Sequence, residues 1–293
     1  MDVSLAAILP QIFTGLVLGM LFVLLAIGLS LIFGLMTVVN FSHGALYMLG
    51  AYCTVFLLGF TRNFWVALVI APLMIGTFGL LIERFLIRRL YGRSPDDPLL
   101  LTFGLSLVLV EAAKLVWGKI GLTLDPPKEL GGAVNLGFMA VPAYRLFVIA
   151  VTIAVLIALW AFLTRTNVGL IIRAGSRDPL MVRALGIDLN RIWLLVFGIG
   201  CALAGLAGAL AGPMRGAYAE MGVTMVIESF VVIVVGGMGS LLGAVVAGLL
   251  MGQVVGMTTL FAPKLAEIMV FVVMALVLLV RPSGIFGEAG LAE

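Results

Sequence analysis

Apolar residues run along this chain in blocks far longer than a soluble helix or strand requires. A helix crosses hydrocarbon with about 20 apolar residues. Blocks at roughly 8–36, 44–61, 64–87, 98–118, 146–164, 192–216, 224–258 and 265–281 meet that test. The pattern predicts an all-α polytopic membrane protein with about eight apolar spans. Two of these are interrupted or re-entrant. The block at 224–258 is too long for one untilted helix, and Gly236-Gly237-Met238-Gly239-Ser240 breaks it. The first two blocks are parted only by Val38-Val39-Asn40-Phe41-Ser42-His43-Gly44. Neither break has charged flanks, so both are candidates for membrane depth. Non-helical backbone is tolerated there only where protein buries it or where it lines a watery cavity.

The charged positions give orientation, because loops rich in Lys and Arg stay in the cytoplasm. Arg84, Arg88, Arg89 and Arg93 follow the third block, and Arg165, Arg173, Arg177, Arg183 and Arg191 follow the fifth. Both loops are expected inside, with the two spans between them giving the required parity. The loop at 119–145 then lies outside, holding Lys119, Lys128 and Arg145 against Asp125 and Glu129. Residues 1–61 contain no Lys or Arg, so the rule does not orient the first spans. A plain count of spans puts the C-terminal end outside, whereas Arg281 argues for inside. A re-entrant hairpin at one of the breaks would reconcile the two.

Composition narrows the classes. Of 293 residues 63% are hydrophobic and 11% charged, with a mean hydropathy of +1.28, against about 25% charged in a soluble domain. The 36 glycines suit close helix approach. A net charge of +3 without a Lys/Arg run gives no basis for nucleic-acid binding. Cys53 and Cys201 sit in apolar blocks, which argues against a disulfide framework. Met1-Asp2-Val3-Ser4 lacks a positive n-region, so the first apolar block is expected to persist in the mature protein. The whole of 1–293 reads as a single transmembrane domain without a soluble domain or linker. With one histidine, two buried cysteines and no clustered carboxylates, no metal-ligand set emerges. The nucleophile elbow, zinc-protease and phosphate-loop motifs are absent, so no enzyme activity is expected of this chain.

Three segments carry candidate function. The first is the inner loop. Asp178 reads as an N-cap with Pro179 at the first helical position, and Gly186 as the C′ stop. Leu180-Met181-Val182-Arg183-Ala184-Leu185 between them makes a short helix. Asp188 or Asn190 caps the next span. At about 27 residues the loop exceeds what joining two helices requires, so the short helix reads as a docking knob for a soluble partner as well as a linker. The second segment is the break at Asn40, Ser42 and His43. Its polar groups either satisfy unwound backbone and pack helices together or line a translocation path. The third is Gly236–Ser240, which is no dinucleotide fingerprint because no strand precedes it. Close helix packing accounts for single glycines there. Both breaks lead into a Leu-Gly-Ala step, Leu49-Gly50-Ala51 and Leu242-Gly243-Ala244. Interrupted spans in two halves point to a path at a repeat interface, which makes an internal pseudo-repeat a candidate. Among buried ionisable groups, Glu111 and Lys114 can pair on one helix. Glu83 is expected at the cytoplasmic edge beside Arg84. Glu228, in an apolar run, is a candidate buried charge.

The segment Gly34-Leu35-Met36, Val39-Asn40-Phe41-Ser42-His43-Gly44 and Met48-Leu49-Gly50-Ala51-Tyr52 resembles the LivH-type permeases of branched-chain amino-acid ABC importers. The resemblance continues through Arg173-Ala174, Leu185-Gly186-Ile187, Val235–Ser240, Gly243-Ala244 and the tail Arg281-Pro282-Ser283-Gly284-Ile285-Phe286-Gly287. It implies a multi-pass protein of the bacterial cytoplasmic (inner) membrane that moves amino acids, most typically branched-chain ones. It also implies a second homologous permease, two cytoplasmic ATPase subunits using ATP and Mg, and an external or periplasmic substrate-binding protein. No cofactor belongs to this chain itself. The path would lie against Asn40, Ser42, His43, Gly44 and Tyr47 and against Gly236, Gly237, Gly239 and Ser240. The coupling segment would comprise Arg173, Asp178, Pro179, Leu180, Arg183, Leu185 and Gly186. Its Met181-Val182 departs from the small or acidic residues common in the family. Glu228 falls where many relatives carry Lys or another residue. Urea or short amides are alternative cargoes for such a permease. An ion-coupled secondary transporter using Glu228 or His43 is the rival from another class.

Overall fold

The structure is a computed structural model that describes residues 5–287 apart from Leu136 and Phe138. Eleven α-helices follow one another among the described residues: α1 Leu5–Met36, α2 His43–Thr61, α3 Phe64–Phe85, α4 Asp96–Trp117, α5 Ala143–Arg165, α6 Asn167–Arg177, α7 Pro179–Ala184, α8 Leu189–Arg215, α9 Met221–Gly236, α10 Leu241–Phe261 and α11 Ala266–Val280. Eight helical stretches are long and apolar enough to cross a membrane. Their positions follow the predicted blocks, with one resolution of detail. The 224–258 block divides at Gly237–Ser240 into α9, of 16 residues, and α10, of 21.

Two features were not foreseen. The inner loop carries a second helix, α6, ahead of the short one. Thr166 caps it, accepting from Gly169 N at 3.0 Å. Its periodic Val168, Ile171 and Ile172 were hidden by the surrounding arginines. The 119–145 loop, expected outside, forms a small antiparallel hairpin, β1 Ala133–Asn135 with β2 Ala140–Pro142, in which Val134 faces Val141. Asn135 Oδ1 accepts from Gly137 N at 2.9 Å, and Gly137 takes φ +87°, both normal turn chemistry.

The chain divides into two compact units. One comprises 28–124 and 153–226. Its core is α2, α3 and α8, brought together by residues without side chains. A Cβ on Gly50 would stand 2.6 Å from the Gly205 Cα, and one on Gly205 would stand 2.7 Å from the Ile75 Cβ. Gly208 abuts the carbonyl of Tyr47, and Gly44 abuts that of Gly222. Lipid offers no hydrophobic drive between apolar helices, so backbone proximity and dispersion supply the adhesion. The outward faces of α3 and α4 stay apolar, as Leu73, Leu81, Phe85, Leu100, Leu107 and Leu115 are all exposed. Such faces suit lipid.

The other unit comprises the described parts of 1–27, 125–152 and 227–293. Here Gly15 and Gly19 of α1 lie against Gly252 and Leu249 of α10, while Gly248 lies against Val23. Gln253 Nε2 donates to the Ile12 carbonyl at 3.0 Å, and Arg145 Nη1 donates to Thr14 Oγ1 at 3.1 Å. α11 is the least covered span and exposes Ile268, Phe271, Leu276 and Leu279.

Replacing Gly208 by Val should force α2 away from α8, at a cost of about 1–3 kcal/mol. Thermal unfolding in detergent should show the lower midpoint. Gly104→Ala, at a position with nothing within 4 Å of the added methyl, should leave it unchanged.

Candidate translocation breaks and coupling end

The first break begins where α1 ends, at Met36. Thr37 closes the helix with φ +51°, an uncommon conformation for a β-branched residue, while its N–H still reaches the Phe33 carbonyl at 2.8 Å. The chain then doubles back. An added Cβ on Gly28 would lie 3.2 Å from Cε1 and Nε2 of His43 and 2.7 Å from the Gly200 carbonyl. Gly28 precedes Met36 by eight residues, about 12 Å along a helix. The α2 N-terminus is thus tucked beside α1 about two turns before that helix ends.

The unwound residues are held by side chains from two places. Asn40 Oδ1 accepts from Ser42 N at 3.0 Å and from Ser42 Oγ at 2.6 Å. Thr102 of α4 accepts from Phe41 N at 3.1 Å through Oγ1, which stands 3.3 Å from the Val39 carbonyl. Phe103, next to it, meets Phe41 edge-on at 6.2 Å. Thr102 was not singled out from the sequence. An isolated threonine in an apolar span gives no signal of a partner about sixty residues away. Asn40, Ser42, His43 and Tyr47 are all buried. The buried Nδ2 of Asn40 has no hydrogen-bond partner among the described residues. The first set of predicted path residues is thus buried.

The second break, in the other unit, uses glycine and a tail. Gly237 and Gly239 adopt φ +101° and +81°, which side chains resist. Gly236 packs directly on Gly243. Ser240 caps α10 by accepting from Gly243 N at 3.0 Å. The last carbonyls of α9 are taken up by the tail: Ile285 N donates to Val235 O at 2.8 Å and Phe286 N to Gly236 O at 3.0 Å. The tail turns at Gly284, φ +81°, which packs on Gly237. Glu228 lies half-buried on α9.

The candidate coupling end belongs to the first-described unit. Asp178 caps α7, accepting from Met181 N at 2.9 Å; Gly186 ends it at φ +79°; Asp188 caps α8, accepting from Asn190 N at 3.0 Å. These are the predicted roles. Only Val182 of α7 is buried. Leu180, Met181 and Leu185 are 76%, 59% and 72% exposed, and Leu170 of α6 adds 59%. An open groove of about 460 Å³ runs along α6, lined by Leu170, Arg173, Ala174, Ser176 and Arg177. Arg183 lies over the Trp193 ring at 5.1 Å. The two arginine-rich loops meet here, because Arg88 Nη2 reaches the Asn190 carbonyl at 3.3 Å. Glu83 does not pair with Arg84. It is fully buried and accepts from Arg88 Nε and Nη2 at 3.2 and 3.0 Å and from Tyr91 OH at 2.7 Å.

At the far ends of α4 and α8, Lys114 bridges Glu111 at 3.0 Å, as the sequence suggested, and also Glu220 at 3.2 Å. That bond holds the exposed Glu220 carboxyl below the usual carboxylate range. Leu122 and Ala217 exchange two backbone hydrogen bonds of 2.8 Å nearby.

Residues 11–278 match the family described as the permease component of the branched-chain amino acid transport system. The chain belongs to this family. It is 32% identical to the high-affinity branched-chain amino acid transport permease BraD of Pseudomonas aeruginosa, over 96% of each chain. It is 28% identical to LivH of Escherichia coli, again over 96% of each. LivM of the same organism is 28% identical, over 80% of this chain and 60% of that one. Among solved structures, PsaBC of Streptococcus pneumoniae in complex with Fab is similar with a TM-score of 0.50 and 12% identity, covering 91% of this chain and 89% of that one. That likeness shows the fold. The chain is a multi-pass transport permease.

Asp178→Ala removes the cap of a six-residue helix and should cost about 1 kcal/mol locally. Hydrogen exchange should speed up at the Met181 amide while α8 keeps its protection.

Proposed function

We propose that this permease imports branched-chain amino acids across the bacterial cytoplasmic membrane in an ATP-driven complex. Two ATPase subunits, carrying ATP and Mg, dock on the inner loops of the two permeases, which in this chain is the 165–191 segment. A second, homologous permease completes the path, and an external binding protein delivers the substrate. The observation that carries this reading is α7. A capped helix that leaves Leu180, Met181 and Leu185 exposed at the arginine-rich end has no use for lipid there, but it fits the groove of a soluble partner. Charges at that end retain it in the cytoplasm. The similarity to both LivH and LivM, named as permeases of one transport system, supports a pair of homologous permeases.

Closure of the ATPases would pull on α6 and α7 and switch access along the breaks. The buried set of Asn40, Ser42, His43, Gly44 and Tyr47 would open to admit substrate, with the buried Asn40 amide offering a ready donor. Gly236, Gly237, Gly239 and Ser240 form the corresponding bend, and Glu228 lies about two turns before it.

Reconstituted with its partners, the chain should accumulate leucine only when ATP is supplied on the ATPase side. Uptake by the chain alone, driven by a proton or sodium gradient and indifferent to ATP, would establish the secondary-transporter reading instead. Leu185→Asp should weaken ATPase association by about tenfold or more while the protein still inserts. Co-purification at wild-type level would remove α7 as the docking site.

A further inference from the structure

The coupling end holds a buried carboxylate that the proposed cycle leaves without a task. Glu83 closes α3 and is 0% exposed. Three hydrogen bonds hold it, two from Arg88 and one from Tyr91. Arg88 reaches onward to the Asn190 carbonyl in the first turn of α8. The Tyr91 ring meets the Trp193 ring at 4.7 Å and 76°, and the same Trp193 ring carries the Arg183 guanidinium of α7 at 5.1 Å. An unbroken series of contacts thus runs from the exposed α7 through Arg183, Trp193, Tyr91 and Glu83 to the end of α3, with Arg88 tying it to α8.

α7 is joined covalently to α6, whose Ile172 and Gly175 are buried, and to α8. Beyond its covalent ends, Val182 is its one buried residue, so a pull on α7 reaches the bundle through Val182 and through Arg183. A buried ion pair is weak evidence for stability, since an apolar group of the same shape packs as well. What charge and directed hydrogen bonds add is one fixed relative placement of the groups they join. Burial, and next the bond to Glu83, raise the Tyr91 phenol well above its usual range, so it remains a donor throughout the working pH range. Trp193 differs from the rest: its buried Nε1 has no hydrogen-bond partner among the described residues. Its ring is instead placed by contacts to Tyr91 and to the Arg183 guanidinium.

We propose that Glu83 is a positioning residue for energy coupling: through Tyr91, Arg88 and Trp193 it locks the ends of α3 and α8 to α7, so that displacement of α7 moves both helices together. This rests on the docking reading given above. Coupling carried by such contacts is modulated by substitution along them, without loss of either binding site.

The test uses the complete importer in proteoliposomes, reading leucine transported per ATP hydrolysed, with pull-down of the ATPases and thermal unfolding alongside. Glu83→Gln keeps the shape of the side chain and removes its charge. Tyr91→Phe removes one hydroxyl and guards against a folding failure in the first variant. Each should retain the ATPases and hydrolyse ATP while leucine per ATP falls by about tenfold. The double variant should fall no further than the more damaged single one, because both act in one series. A wild-type ratio in the variants overturns the proposal, as does a loss of assembly and thermal stability with the ratio unchanged. Wild-type uptake that is indifferent to ATP is a separate result: it removes the docking reading and this inference with it.

Discussion

Every backbone N–H and C=O that leaves a helix inside an apolar bundle has to find a partner, because lipid supplies none. That constraint shapes both breaks and explains why they look so different. At the first, an asparagine turn and a threonine from α4 take up the unwound peptide groups. At the second, the last carbonyls of α9 are met by amides of the Ile285–Phe286 tail, and glycines supply the φ values the bend needs. Side chains satisfy one break, and another stretch of backbone satisfies the other. The short bend following each segment is possible only because these partners are in place.

The same economy of side chains governs packing. Helices that would gain little from burying leucine in a medium already apolar instead meet along glycines, as α2 does against α8 and α1 against α10. Close contact leaves few voids and few polar groups to spare. The exceptions stand out for this reason. The candidate coupling end brings exposed apolar residues and arginines on two short helices next to a buried carboxylate network at the end of α3. Within such a bundle the backbone leaves the helix at only a few places, and one end leaves Leu180, Met181 and Leu185 exposed.

The fold was largely legible in the sequence. Length and hydropathy alone place the spans, because lipid imposes a single length scale. The caps Asp178, Gly186 and Asp188 act as read, since a cap is a local interaction between residues two to four apart. What escaped detection was long-range or masked. Thr102 serves a break about sixty residues before it, and nothing local marks it. Glu83 looked like an edge residue beside Arg84, yet its partners are Arg88 and Tyr91, where the helix ends and the turn curls back. α6 was missed because arginines obscured its apolar spacing. The candidate path residues could be named from the resemblance, but only the fold shows that His43 fits beside Gly28 because that position has no side chain.

Both breaks share a dependence on time. Val39 and Phe41 are made sixty-odd residues before Thr102, and Val235 is made fifty before Ile285. A ribosome therefore delivers each unwound segment to the membrane well ahead of the group that satisfies it. Until α4 and then the tail arrive, those peptide groups must be kept wet or sheltered by the insertion machinery. Each bend is an unfinished joint during synthesis, and it closes only when a later part of the chain reaches it.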